Sequence, residues 1–359
     1  MLEAIREQVH TRWPGSQLMV PDSMPVEVRA ELDLLPVLLR DGHPLDPRRW
    51  RQWLPRRVRG LAAVRSADVI LDASGFGYGD YWGRNKLVRR LVRTLRSKAT
   101  DCPAILLPQA LGPFEKPGMA AAFAEAVDRL DLVFVRDAQS MKHVNAIISD
   151  DPKVHRAPDF TNMLHPKLPD RLSDLRGARL VIPNQKMIAD QSASNEERYL
   201  RFLITAVERL RQSDKQVVIL LHEGLKDRAI VDNLNARLDE PCPVVDEPSP
   251  LVTKAVIAAA EMIVSSRFHG LVSALSSGVP ALACGWSHKY RELLADYGAA
   301  DYLVDVNHEE NWMPKLDALV SGASDPAFRD RLTVMAKRER LKSEKMWDDV
   351  TDLVCSRAS

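Results

Sequence analysis

Two doubly wound α/β domains facing a cleft, followed by a helical region, form the fold class that this sequence predicts. Three observations carry that expectation. A chain of 359 residues exceeds the roughly 250–300 residues at which a single core usually stops growing, so two units are expected. Short runs of continuous apolar residues alternate with amphipathic segments, the pattern of parallel strands covered by helices on both faces. The alternation breaks once, in the Pro-rich stretch 157–177, and then restarts. The expected domains are therefore 1–165 and 178–324, with 325–359 as the C-terminal helical region.

Taken in order, the first helix is expected at 2–12, where Leu2, Ile5 and Val9 keep helical spacing, and Pro14-Gly15 ends it before a strand at 18–20. Right-handed βαβ wiring would place a strand ahead of that helix. None precedes it in the sequence, so the expectation is a late start codon or a true deletion, with a gap or exposed edge in the first sheet. The strand at 68–72 leads into the glycine-rich loop Ser74-Gly75-Phe76-Gly77-Tyr78-Gly79-Asp80 and then a basic helix, 84–98. Strand 104–107, helix 120–129, strand 132–135 and helix 138–148 complete the first domain. The second reads as strand 179–182, helix 196–211, strand 217–221, helix 227–238 and a short strand near 244–245. It continues through helix 251–260, strand 262–264, a helix after Arg267, strand 281–284 and helix 289–297, and residues 326–355 read as a long charged helix.

Composition excludes several classes. Lys+Arg (50) and Asp+Glu (49) nearly cancel, so the net charge of +1 gives no case for a nucleic-acid partner. Four cysteines without C-x-x-C spacing read as reduced thiols. No secretory signal and no uninterrupted apolar span is present, which predicts a cytoplasmic protein. No His/Asp/Glu cluster has metal spacing, so no metal is expected; G-x-S-x-G and G-x-x-x-x-G-K-[ST] motifs are also missing. The stretch 48–59 combines six arginines with Trp50 and Trp53, and helix 84–98 has no acidic residue. Together they make either a basic, aromatic face for contact with an anionic membrane or a solvated face with the tryptophans in the core.

Ligands of parallel sheets bind beyond the carboxyl ends of the strands, so the loops after strands are the place to search. The most informative one is Val264-Ser265-Ser266-Arg267-Phe268-His269-Gly270, where a buried strand ends in two serines and a helix opens with a cation and an imidazole. A positive residue at the positive end of a helix is unfavourable, so something anionic should sit there. Arg267 can hold a phosphate or carboxylate with its planar fork, and His269 can hold or transfer a proton; the alternative is that the two merely cap a neighbouring helix or pair with acidic residues.

This segment resembles the polysaccharide pyruvyl transferase family, whose hallmark is an apolar strand leading into Ser-Arg-x-His, a small-residue helix, Gly-x-Pro and a downstream lysine. Here these are Ser266-Arg267-Phe268-His269, Gly278-Val279-Pro280 and Lys289. Pro108-Gln109-Ala110-Leu111-Gly112-Pro113, Arg136-Asp137 and Ala157-Pro158-Asp159 are similar to the same family, over roughly residues 65 to 300. The chain departs from it in beginning inside the first helix and in replacing a double-glycine turn by the loop at 74–80.

The resemblance implies a GT-B-like fold and transfer of the enolpyruvyl group of phosphoenolpyruvate onto two hydroxyls of a sugar, giving a cyclic ketal and free phosphate. Phosphoenolpyruvate is then a co-substrate, no cofactor is needed, and the acceptor is a sugar of a cell-surface polysaccharide or its lipid-linked precursor, met at the inner face of the membrane. Arg267, Lys289, Arg136, Ser266 and Gly270 become the expected donor-binding set, and His269 with Arg267 the catalytic pair, His269 as proton-transfer residue or phosphate ligand. Gly75, Gly77, Asp80, Asp159 and His222 are the expected acceptor side. For the glycine loop, close approach to a ligand and a purely structural turn both remain open, and Asp137 either orients Arg136 or caps a helix. Two other readings compete: a nucleotide-sugar glycosyltransferase on the same fold, and a binding protein without turnover.

Overall fold

The computed structural model describes residues 1–37, 39–40, 43–44, 64–188, 193–285 and 287–358. The basic stretch 48–59 lies outside the described residues. Contacts divide the chain into two units, Met1–Phe160 with Ser343–Ser359, and Thr161–Lys342.

In the first unit, α1 (Leu2–Arg12) turns Ala4, Ile5 and Val9 inward. β1 (Met19–Pro21), α2 (Val26–Glu31) and β2 (Leu35–Val37) follow, and β1 pairs with β2 in parallel. β3 (Leu39–Arg40) and β4 (His43–Pro44) form a short antiparallel ladder. The main sheet holds β5 (Ile70–Asp72), β6 (Ala104–Gln109), β7 (Leu132–Val135) and β8 (Val154–Arg156), all parallel and in that order. The basic segment is α3 (Arg84–Leu87) and α4 (Arg93–Ser97), joined by a π-helical turn at Val88–Val92; Leu87, Leu91 and Leu95 are its buried face, as the spacing predicts. α5 (Met119–Asp128) and α6 (Ala138–Asn145) cover the later crossovers. Among the described residues β5 has no strand partner on the side away from β6. An apolar cavity of about 730 Å³ lies against β1, β2 and β5, with Ile5, Val9, Val20 and Ile70 among its walls.

The second unit is a six-stranded, wholly parallel sheet. Its elements are β9 (Arg179–Ile182), α7 (Ala193–Leu210), β10 (Val217–Leu221), α8 (Leu225–Asn235), β11 (Val244–Asp246), α9 (Pro250–Ala258) and β12 (Met262–Ser265). Then come α10 (Phe268–Leu275), β13 (Ala281–Cys284), α11 (His288–Asp296), β14 (Leu303–Val304), α12 (Trp312–Ser324) and α13 (Pro326–Ala358), whose residues from Ser343 onward belong to the first unit.

Successive side chains of these strands enter different cores, the consequence of period-2 alternation. Leu180, Ile182 and Ile263 pack with Val256, Ile257, Leu271 and Leu293 on one face. Val181, Val264 and Leu282 pack with Leu203, Val207, Leu234 and Leu316 on the other. Each such side chain contributes roughly 1.5–3 kcal/mol by leaving water, which is why the strands read as continuous apolar runs. Gly278 stops α10 in the left-handed region at φ 70°, where a Cβ would also stand 2.8 Å from Thr333 Oγ1.

The strand order β11-β10-β9-β12-β13-β14 is the Rossmann order 3-2-1-4-5-6. The chain reverses its direction of travel across the sheet between β9 and β12, so the loops after these two strands flank the crevice where such sheets bind ligands.

Candidate functional site

The loop after β12 is held rigidly from below. Ser265 Oγ accepts the backbone N–H of Arg267 and donates to the Arg267 carbonyl, both at 3.1 Å. Gly270 lets α10 close onto that turn, since a Cβ there would stand 2.9 Å from Ser265 Oγ. The Ser266 carbonyl accepts from Asn184 Nδ2 of the β9 loop and from the Tyr290 hydroxyl, both at 2.9 Å, and Ser266 Oγ accepts from the Tyr199 hydroxyl at 2.7 Å. Burial pushes both phenols well above their ordinary pKa, so they stay protonated donors. Ser266 and Gly270, expected from sequence to touch the donor, are thus engaged in fixing the backbone that carries Arg267.

Arg267 sits at the N-cap of α10, buried at 5% exposure. Its Nε donates to Asp227 Oδ2 at 3.0 Å, its Nη2 to Asp227 Oδ1, and its Nη1 meets Glu223 Oε1 at 2.6 Å. The anion that electrostatics demands at this helix end is supplied by the protein's own carboxylates. Asp227 stands in the first turn of α8 and also accepts the backbone N–H of Gln185 at 3.0 Å and of Glu223 at 3.4 Å. One carboxylate therefore ties together the loops after β9, β10 and β12.

His269 follows in the first turn of α10, its ring edge-on to Phe268 with centroids 5.6 Å apart. Lys289, in the first turn of α11, places Nζ 5.1 Å from the centre of the same Phe268 ring. His222, grouped from sequence with the acceptor residues, lies just past β10 and senses both His269 and Arg267. The residue is half-buried, and its Nδ1 is buried with no hydrogen-bond partner among the described residues. Desolvation first, then the nearby His269 and Arg267, pushes its pKa from 6.5 down to about 4. His222 is accordingly a neutral imidazole at physiological pH.

That shift has a measurable sign. Between pH 6.5 and about 4 an unfolded chain binds a proton at this residue that the native state refuses. The corresponding stability is intact above pH 6.5 and is lost as pH falls toward 4, by up to about 3 kcal/mol. Replacing His222 by Gln is expected to flatten this part of the curve, read as the difference between denaturant melts of variant and wild type at pH 7 and pH 5. An equal loss in both proteins would show that His222 titrates normally.

The other expected residues belong to the first unit, at the carboxyl ends of its strands. Arg136 follows β7, and its Nη1 donates to Asp159 Oδ2 at 3.3 Å, both residues being buried. Asp137 is the N-cap of α6, accepting from Ser140 N at 2.7 Å. Asp80 accepts the backbone N–H groups of Glu115 and Lys116, at 2.8 and 3.1 Å. A Cβ on Gly77 would stand 2.8 Å from Ser74 Cβ, and one on Gly79 would stand 2.5 Å from the Gly112 carbonyl oxygen. Gly75 takes φ 71° beside the Met1 side chain. The loop's glycines and Asp80 are closely packed, Ser74 is exposed, and just past the loop the exposed Tyr81 groups with Phe76 and Trp82 at ring separations of 4.8 to 6.5 Å. Among the described residues no group of three His, Cys, Asp or Glu could hold a metal ion, and no helix is long and apolar enough to cross a membrane.

Sequence reasoning missed Asp227 and the bracing tyrosines. An acidic residue in the first turn of a helix that follows a strand was the available signal, but an N-terminal carboxylate is ordinary there, and only the tertiary structure brings Arg267 to it.

The model of the polysaccharide pyruvyl transferase family matches residues 1–288. The chain belongs to that family. The match covers all of the first unit's strands and the second unit through β13, includes Arg267 and His269, and ends one residue before Lys289. Membership makes the protein a transferase.

Solved structures agree on the fold. A co-structure of S. aureus MnaA with UDP is similar at 12% identity over 96% of this chain and 92% of that one, with a TM-score of 0.58. A UDP-GlcNAc 2-epimerase from Neisseria meningitidis, bound to UDP-GlcNAc, matches at 12% identity over 98% and 97%, with a TM-score of 0.58. The glycotransferase of kitacinnamycin matches at 16% identity over 98% and 95%, with a TM-score of 0.53. At these identities the likeness carries the fold, and it places this pyruvyl transferase family member among GT-B proteins, as its sequence predicts.

Proposed function

We propose that the protein moves the enolpyruvyl group of phosphoenolpyruvate onto two hydroxyls of a sugar in a cell-surface polysaccharide or its lipid-linked precursor, in the cytoplasm at the inner membrane face. The observation that carries this reading is the grouping of Arg267, His269, His222 and Lys289 around the start of α10, beside the point where the second sheet reverses. Cationic donors suit a small ligand bearing a phosphate and a carboxylate. A neutral imidazole and a second histidine beside them suit proton transfer at that ligand.

In this reading His269 protonates the donor's methylene carbon, which becomes a methyl group and leaves the adjacent carbon electrophilic. One sugar hydroxyl adds there and a second displaces phosphate, closing the ketal. Of the two hydroxyl protons, one restores His269 and the other leaves on phosphate. No metal or organic cofactor enters the sequence. Arg136 and Asp159, with the outward-facing Tyr81, are the first-unit residues assigned to binding.

Purified protein is expected to release phosphate from phosphoenolpyruvate only when an acceptor sugar is present, and to do so in the presence of a chelator. The assay is run with free saccharides and with lipid-linked sugars in anionic vesicles. The UDP and UDP-GlcNAc bound to the structural neighbours make a nucleotide sugar the control donor. Acceptor-dependent use of that donor, with none of phosphoenolpyruvate, would sink the proposal; equal activity on free and vesicle-borne sugars would remove its lipid-linked part.

A further inference from the structure

The two carboxylates on Arg267 are not equivalent. Asp227 has a side chain with 0% exposure and takes the Nε and Nη2 edge of the guanidinium along with two backbone N–H groups. Glu223 has a side chain with 38% exposure and meets the guanidinium at Nη1, at 2.6 Å. Pulling Asp227 away would strand a buried charge, whereas the Glu223 carboxylate borders water and, when it turns away, leaves Arg267 still paired with Asp227.

Charge points the same way. One guanidinium facing two carboxylates leaves the cluster with an excess negative charge, into which a further anion would enter against repulsion. A guanidinium carries five N–H donors in a fixed fork, so with one edge committed to Asp227 the Nη1 end is the edge left for a ligand. A carboxylate already sits on that end.

We propose that Glu223 occupies the place of the donor's anionic group on Arg267 and is displaced by it, and that Asp227 is a positioning residue holding the opposite edge of the guanidinium throughout. The ligand class is a small phosphate- or carboxylate-bearing anion. The inference rests on the proposed function only for the name of that anion.

The test uses the full-length protein, titrated calorimetrically with inorganic phosphate and with phosphoenolpyruvate, alongside kcat and KM for phosphoenolpyruvate. Glu223→Gln keeps the side chain's size and removes the competing charge. It is expected to bind both anions about three- to tenfold more tightly than wild type and to lower KM. Unchanged or weaker binding overturns the exchange. Asp227→Asn is expected to keep anion affinity while kcat falls at least about tenfold, the split that loss of orientation produces. Asp227→Glu, which keeps the charge but moves it by one methylene, should show the same kcat loss. Wild-type kcat in either Asp227 variant overturns the positioning role. Tighter phosphate binding by Glu223→Gln in a protein that never consumes phosphoenolpyruvate would refute the proposed function and leave the exchange standing.

Discussion

Arg267→Ala is expected to lose both activity and fold stability, and the two losses have separate causes. Removing the guanidinium leaves the Asp227 carboxylate buried, with two backbone N–H partners among the described residues, at 3.0 and 3.4 Å. Breaking a buried pair from one side costs about 3–5 kcal/mol because the surviving charge is uncompensated. Activity should fall by at least about a thousandfold if Arg267 both anchors the donor and stabilises departing phosphate. The double variant Arg267→Met with Asp227→Leu separates the effects. Replacing both partners by apolar groups of similar size is often neutral or stabilising, so the double variant should regain most of the denaturant midpoint and none of the activity. If the single variant kept wild-type stability, the Asp227 pair would not be the buried contact described here. If the double variant regained activity together with stability, Arg267 would have a purely structural role.

How far the sequence reaches can be judged from particular elements. Strands such as 179–182, 217–221 and 281–284 coincide with the observed β9, β10 and β13 because strands buried on both faces are continuous apolar runs, a signal that needs no tertiary context. β8 has no such signal: Val154-His155-Arg156 is an edge strand with its last two residues exposed, and its pairing with β7 combines backbone bonding with a ring contact between His155 and Phe134, centroids 5.8 Å apart. α12, with Leu316 and Leu319 inward, is not among the expected helices although its buried positions keep helical spacing. The expected helix 326–355 is the observed α13, longer by a few residues.

The site divides along the same line. Local chemistry marks Arg267 and His269, because a cation at a helix start, with an imidazole beside it, conflicts with the helix dipole and so calls for an explanation, whereas Lys289 enters through the family resemblance. What satisfies Arg267 is Asp227, 40 residues away in sequence. The Rossmann strand order, which sets β9 between β10 and β12, brings the loops after those three strands together. The loop at 74–80 shows the converse. Its glycines suit either a ligand or a tight turn, and their closest neighbours are the Met1 and Ser74 side chains and the Gly112 backbone, contacts that spacing alone does not distinguish from a binding turn.

The second large effect is expected at His269. It stands two residues from the Arg267 anchor, in the first turn of α10, on a helix whose buried residues run from Phe268 to Leu275. The backbone beneath it is fixed independently: its carbonyl accepts from Ser273 Oγ at 2.7 Å, and the Ser265 turn holds the helix start. Truncating the imidazole should therefore leave the helix and the Arg267 contacts in place. As the proton donor to the methylene carbon, His269 would be needed in the transition state and much less in the ground state, so His269→Ala should lower kcat by about 10²- to 10⁴-fold with phosphoenolpyruvate affinity partly kept. His222 makes a poor substitute, because its pKa near 4 leaves it almost wholly neutral at pH 7. Stopped-flow turnover and calorimetric affinity, measured on the same preparation, give the two numbers. A parallel loss of affinity and kcat/KM, with kcat near wild type at saturating donor, would make His269 a phosphate ligand instead and move the proton transfer to another residue.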